Sequence, residues 1–309
     1  MTPEAGPVTA RQDAGMQLSA WPSAAHPWPV IRDLARHVES RGYHGVWIMD
    51  HFMENTDEGG GHVLEGFSVL AALAAAVPRV RLGSLVAGNL YRHPAVLANQ
   101  AATIDHISEG RFVLGVGAGW QQNEHAQYGI QLPPAGPRLR QFEEACRVVR
   151  ALRDEEVATF DGRYYQLRGA RMEPKAVGPL PLMIGGAGEK VMPGIVARQA
   201  DEWNVWGTPE TFAHKSAVMT RACEDIGRDP ATLKRSTQAL VILGRDPRPE
   251  DGPRAIGGSL ERLRDTFGRY AAAGVDEFIV TNGHLGDPAR SQELFDVVAN
   301  EVVTAVTGC

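Results

Sequence analysis

Residues 45–52 read GVWIMDHF, an apolar run that ends in an acid, an imidazole and a phenyl ring. A buried strand gains nothing from two ionisable groups, so Asp50 and His51 mark either the place where the strand surfaces or the wall of a site. An imidazole exchanges protons near neutral pH, which makes His51 the candidate general acid or base. Neighbouring strand residues point to opposite faces, so Asp50 and His51 can serve one site only because the strand ends there. A loop-edge histidine beside a capping aspartate would give the same dipeptide, and its place in the fold has to decide.

Two glycine-rich stretches suggest a second kind of chemistry. In GVGAGWQQNE (115–124) alternating glycines leave backbone N–H groups open to an anion. IGGAGEK (184–190) runs from a strand through glycines into a helix start, a place that suits a phosphate. Close packing and a tight turn would explain the same glycines, and the spacing is not that of a dinucleotide fingerprint. In LGSLVAGNLYRHPA (82–95), His93 precedes Pro94 and so starts a helix instead of working as a catalyst. His44, His62, His125 and His284 read as surface or loop residues.

No HxH, HExxH or GxSxG occurs, which removes the usual metallohydrolase and serine-hydrolase arrangements, and no metal is expected. Glycine-rich strand ends, tryptophans for a flat ring and one acid/base pair fit an organic cofactor better.

These residues need a scaffold. Strand-like runs at 15–20, 45–49, 80–86, 111–117, 180–185, 202–206, 237–244 and 277–282 alternate with helical periodicity near 28–41, 66–76, 94–108, 138–152, 189–200, 209–227, 258–273 and 288–306. Most of these strands lack strict polar alternation, as strands covered on both faces do, which argues for parallel pairing. Eight β-then-α units predict a (β/α)8 barrel, with a doubly wound open sheet as the alternative; a barrel places working groups at the C-terminal strand ends. The segment 153–180 breaks the rhythm as an insertion with a hairpin around Asp161–Gly162, and the loop 53–66 is long. Both are candidates for a lid or a wall of the site.

The bulk composition narrows the partners. The 309 residues are 43% hydrophobic and 22% charged, enough apolar content for a sizeable core, read as one domain over 15–309 behind an N-terminal tail at 1–14. A net charge of −6 with no long basic run argues against nucleic acid. Cys146, Cys223 and Cys309 form neither a zinc nor a disulfide framework, the start lacks a signal pattern and no apolar stretch spans a bilayer. The expectation is a cytoplasmic protein acting on a small molecule.

GYHGVWIMDHF, the run from RVRLGSLVAGN to WQQNEHAQYGI, FDGRYYQL, PKAVGPLPLMIGGAG and ARQADEWNV resemble the luciferase-like monooxygenase superfamily over about residues 15–300. The resemblance extends to its actinobacterial branch of oxidoreductases using the deazaflavin coenzyme F420. It implies a (β/α)8 barrel with insertions, a homodimer, and hydride transfer between the deazaflavin and a small organic substrate. A deazaflavin has carbon where flavin has its oxygen-reactive nitrogen, so reduction or dehydrogenation is implied over oxygenation. An FMN-dependent monooxygenase served by a flavin reductase is the alternative, and a catalytically silent flavin-binding barrel is a third reading.

Residue by residue, the resemblance makes His51 the proton donor beside the reactive ring and Asp50 a cofactor contact. Leu85 and Val86 align with a non-prolyl cis peptide under one ring face, and Gly88 or Asn89 would touch the ring or side chain. Ala118, Gly119, Asn123, Gly185 and Gly186 would hold the ribityl-phosphate tail. Sugar-phosphate dehydrogenases of the family carry a catalytic Glu where this chain has Trp120. Indole cannot transfer that proton, so a more apolar pocket lined by Trp21, Trp120 and Trp206 is expected.

Overall fold

In the computed structural model, which describes residues 15–55 and 61–303, eight strands pair in parallel, each with the next, until the last closes on the first. They are β1 (Gln17–Trp21), β2 (Gly45–Ile48), β3 (Arg81–Ser84), β4 (Phe112–Gly117), β5 (Leu182–Gly185), β6 (Glu202–Trp206), β7 (Lys234–Leu243) and β8 (Glu277–Thr281). The closing pair sets Gln17 against Glu277 and Trp21 against Thr281. Every residue of β2, β4 and β8 is buried, which is why their sequences run apolar without alternation.

Eight helices cover the outside: α1 (Trp28–Ser40), α2 (Gly66–Ala76), α3 (Pro94–Ile107), α4 (Ala135–Asp154), α5 (Met192–Gln199), α6 (Pro209–Glu224), α7 (Leu260–Ala272) and α8 (Pro288–Val297). The arrangement is the predicted (β/α)8 barrel, not an open sheet. Local chemistry starts the helices where the barrel needs them. His93 accepts the Ala95 N–H ahead of Pro94, the Glu65 carboxylate accepts the Phe67 and Ser68 N–H groups, and Thr208 and Ser259 cap α6 and α7. The last helix ends earlier than its periodicity suggested and passes into a π-helical turn, Val298–Val303. Among the described residues no helix is long and apolar enough to cross a membrane.

The lumen has a charged lower plug and an open upper end. Arg81, Glu202, Lys234 and Glu277 are the first residues of β3, β6, β7 and β8. Glu277 accepts from Ser19 Oγ (2.6 Å), Trp47 Nε1 (2.8 Å), Arg81 (2.9 Å) and Lys234 (2.7 Å), and Arg81 also reaches Glu202 at 2.7 Å. Burial alone would raise the Glu277 carboxyl, but Arg81, Lys234 and Ser19 outweigh it and hold it down at about 2. Above this layer Trp47, Val113, Met183 and Ile279 form a second buried apolar cluster.

The insertion is the main correction. Its hairpin, Ala158–Asp161 with Gln166–Ala170, lies between a helix and the following strand, a junction that a barrel places at the N-terminal end of its strands. Glu144 of α4 accepts the N–H groups of Arg163, Tyr164 and Tyr165, and the buried Asp105 at the foot of α3 accepts those of Val177 and Gly178. The hairpin therefore lies along the outer helices and lines no part of the cavity described below, neither lid nor wall. The glycine-rich middle of the loop 53–66, at 56–60, lies outside the described residues.

Candidate active site

A cavity of about 770 Å³ opens at the C-terminal strand ends. Twelve of the fourteen residues expected at the site border it: Trp21 from β1, Asp50 and His51 after β2, Leu85, Val86 and Gly88 after β3, Ala118, Gly119 and Trp120 after β4, Gly185 and Gly186 at β5, and Trp206 at β6. Asn89 and Asn123 do not. Asn89 is buried behind the wall, its N–H bonded to the Gly117 carbonyl, and Asn123 donates to the Glu54 carbonyl while its own oxygen accepts the Glu124 N–H.

His51 is held from below. Its Nδ1 lies 2.7 Å from Oε1 of Glu124, a fully buried residue of the short helix Gln122–Gln127. The other Glu124 oxygen accepts the Phe52 N–H at 2.8 Å, and the Tyr91 hydroxyl donates to Oε1 in a short hydrogen bond. Burial would raise the Glu124 carboxyl, but the His51, Phe52 and Tyr91 hydrogen bonds prevail and hold it below the usual range. Burial and the adjacent Glu124 push the Tyr91 phenol well up, so Tyr91 stays a protonated donor. An ionised Glu124 requires the proton on Nδ1 of His51, which leaves Nε2 as the ring nitrogen free for a ligand. Trp120, 59% exposed, meets the imidazole edge-on at 5.8 Å.

Asp50 has a different employment. Arg92 grips both carboxylate oxygens, at 2.6 and 2.8 Å, and the Gly88 N–H donates to one of them at 2.9 Å. Arg92 in turn reaches Glu65 at 2.6 Å and lies over the Phe67 ring. Asp50 thus ties the end of β2 to the loop after β3 and to the start of α2.

The glycines have a packing role at two positions. The Leu85–Val86 peptide is cis, and the Val86 side chain lies between β4 and β5. A Cβ at Gly117 or Gly185 would stand 2.7 or 2.8 Å from Val86, closer than any side chain tolerates. The packing explanation of these glycines therefore holds at Gly117 and Gly185, while Gly119 and Gly186 present backbone to the cavity.

Several residues at and behind the wall carry no motif that gives them away. Glu124 closes the glycine-rich stretch 115–124 with no role read for it, Tyr91 and Arg92 lie in the stretch read for His93, and His125, read as a surface or loop residue, is buried; Tyr91 borders the cavity, and the other three support residues that do. Asn204 and Gln238 line the floor, hydrogen-bonded to each other at 2.8 Å. The segment Asp251–Arg254, after β7, forms a wall that no motif announced. Arg138, in the first turn of α4, borders the cavity with its Nε buried and without a partner. An unpaired buried guanidinium nitrogen on a largely apolar wall fits a ligand that carries an anionic group.

The comparisons with known proteins agree with this architecture. The sequence model for the luciferase-like monooxygenase family matches residues 11–249. An F420-dependent glucose-6-phosphate dehydrogenase of Kineococcus radiotolerans is 34% identical over 226 residues, 70% of this chain and 65% of that protein. The pyrimidine monooxygenase RutA of Escherichia coli is 34% identical over 175 residues, 54% of this chain and 45% of its own length. The chain thus spans a little under two thirds of the first relative and less than half of the second. The solved structure of an F420-dependent secondary alcohol dehydrogenase with an F420-acetone adduct superposes with a TM-score of 0.82 at 20% identity, covering 95% of this chain and 99% of that one, a likeness of fold. With most of its length matched by the family model and the same closed barrel, the chain belongs to the luciferase-like monooxygenase family.

Proposed function

We propose that this protein is a coenzyme F420-dependent oxidoreductase that passes a hydride between the deazaflavin and a small organic substrate, with His51 exchanging the accompanying proton. The observation that carries this reading is His51 on the wall of a cavity large enough for a cofactor and a substrate, held from behind by the buried Glu124. Glu124 anchors Nδ1, so Nε2 takes the proton from a substrate hydroxyl in oxidation and returns it in reduction. The largely apolar walls from Trp21, Trp206 and Leu240 exclude water from that exchange.

For the cofactor, Arg138, tied to the Pro133 carbonyl at 3.0 Å, offers its unpaired Nε and its positive charge to an anionic tail, and the backbone at Ala118, Gly119 and Gly186 leaves room beside it. Asp50, engaged by Arg92 and Gly88, serves the cofactor by holding the Val86–Gly88 segment in place more than by direct contact. The F420-dependent relative supports this choice of cofactor. RutA, named a monooxygenase, supports the second reading, the same barrel working with FMN and oxygen.

Titration of the purified protein with F420 and with FMN, followed by fluorescence, separates the two. F420 binding with little or no FMN binding is the expected result; tight FMN binding without F420 binding would overturn the proposal.

A further inference from the structure

The cavity holds one more charge than the cofactor reading employs. Asp50 is neutralised by Arg92, His51 is held by Glu124, and Asp251 is gripped by Arg245 at 2.6 and 2.8 Å. Two cations on the wall are left without a carboxylate partner among the described residues, Arg138 and Arg254. Arg138 belongs to α4, whereas Arg254 follows the bend Asp251–Gly252–Pro253 after β7. The Arg254 guanidinium lies over the Trp206 indole, 5.4 Å from the ring centroid, and Trp206 meets Trp21 edge-on at 5.5 Å. An indole beneath it holds the planar guanidinium in place, and among the described residues none takes its N–H donors.

We infer that Arg254 is the anchor of a substrate-binding subsite, and that the substrate is a carboxylate-bearing molecule whose flat apolar body packs against Trp206, Trp21 and Leu240. A cation at the rim of a mostly apolar chamber selects for a ligand that is apolar at one end and anionic at the other. A monoanion matches the charge better than a phosphate dianion, because the nearby Arg245 is already neutralised by Asp251 and Arg254 stands as a single positive charge. This rests on the oxidoreductase reading above, whose substrate class it specifies; the carboxylate subsite itself is measured without turnover.

The test is equilibrium binding of benzoate, benzamide and phenyl phosphate to the full chain, with and without F420, in the wild type, Arg254→Met, Arg254→Lys and Arg138→Met. Benzoate should bind roughly tenfold or more tightly than benzamide, the difference expected of one charge-assisted guanidinium contact. Arg254→Met should abolish that preference, Arg254→Lys should keep part of it, and F420 affinity should stay within about threefold in both. Equal binding of benzoate and benzamide by the wild type would overturn the inference. So would a preference that survives Arg254→Met and disappears in Arg138→Met, an F420 affinity that collapses in Arg254→Met, or phenyl phosphate binding more tightly than benzoate. If the wild type fails to bind F420 yet keeps an Arg254-dependent preference for benzoate, the cofactor reading falls and the carboxylate subsite stands.

Discussion

Nδ1 of His51 lies 2.7 Å from Oε1 of Glu124, a residue 73 positions further along the chain. Glu124 accepts from three donors at once, His51, the Phe52 N–H and Tyr91. A glutamine there would bring one oxygen and an amide that turns N–H toward an N–H. Glu124→Gln should therefore lower turnover by roughly 10- to 100-fold, as losses of orienting partners of working imidazoles do. His51→Ala should lower it by about 100-fold or more, with F420 affinity within about tenfold. The deciding readout is the pH–rate profile: Glu124→Gln should shift its acid limb with little change in KM. A profile of wild-type shape and position would make Glu124 a packing residue only.

The grip of Arg92 on Asp50 predicts a loss of stability, not a loss of a ligand contact alone. Asp50→Ala leaves a half-buried guanidinium with only Glu65 and strands the Gly88 N–H. Breaking such a pair costs on the order of 3–5 kcal/mol. Thermal unfolding should show a clear fall in midpoint for Asp50→Ala and little change for His51→Ala. A wild-type midpoint in Asp50→Ala would contradict the tie described here.

Val86 and the two glycines beneath it should behave as one packed unit. Gly117→Ala puts a methyl group 2.7 Å from the Val86 side chain, an overpacking that typically costs about 1–3 kcal/mol. Val86→Ala removes the obstacle, so the double variant should recover much of the loss, giving a coupling energy of about 1 kcal/mol or more. Additive effects in denaturant unfolding would show that Gly117 is needed for another reason.

The charged plug predicts the acid behaviour of the fold. Glu277 titrates at about 2 in the folded barrel, below the ordinary carboxylate range of the unfolded chain. Between those values the unfolded chain binds the proton that the folded one refuses. The contribution is thus present above the ordinary range and is lost as pH falls toward about 2. The unfolding midpoint should drop steadily from pH 5 to pH 2, and less steeply in Glu277→Gln, which begins less stable because Arg81 and Lys234 lose their counter-charge. Parallel curves for the two proteins would rule out Glu277 as the source.

Much of the scaffold was legible because it is written in local patterns. The eight apolar runs and the periodic segments between them need only neighbours in sequence to be recognised, and Pro94 announces the start of its helix. The strand read over 80–86 is shorter in the fold: it stops at Ser84, turns through the cis bond, and pairs again at Ala87–Gly88 against Val116 and Gly117. The insertion was recognised as a hairpin but placed on the wrong side, since its docking depends on Glu144 and Asp105, two acids whose targets lie 19 to 73 positions away.

The barrel and the strand ends that face its mouth are written in the sequence, because periodicity and turn residues act over a few neighbouring positions. Which groups are employed and which are free depends on the folded contacts. Asp50 and His51 are adjacent in the chain, yet Arg92 claims the first and Glu124 the second, while Arg254 comes to the wall with no counter-charge among the described residues. A charge in a cavity is defined by what lies within a few ångströms of it, and chain closure, not sequence spacing, sets those distances.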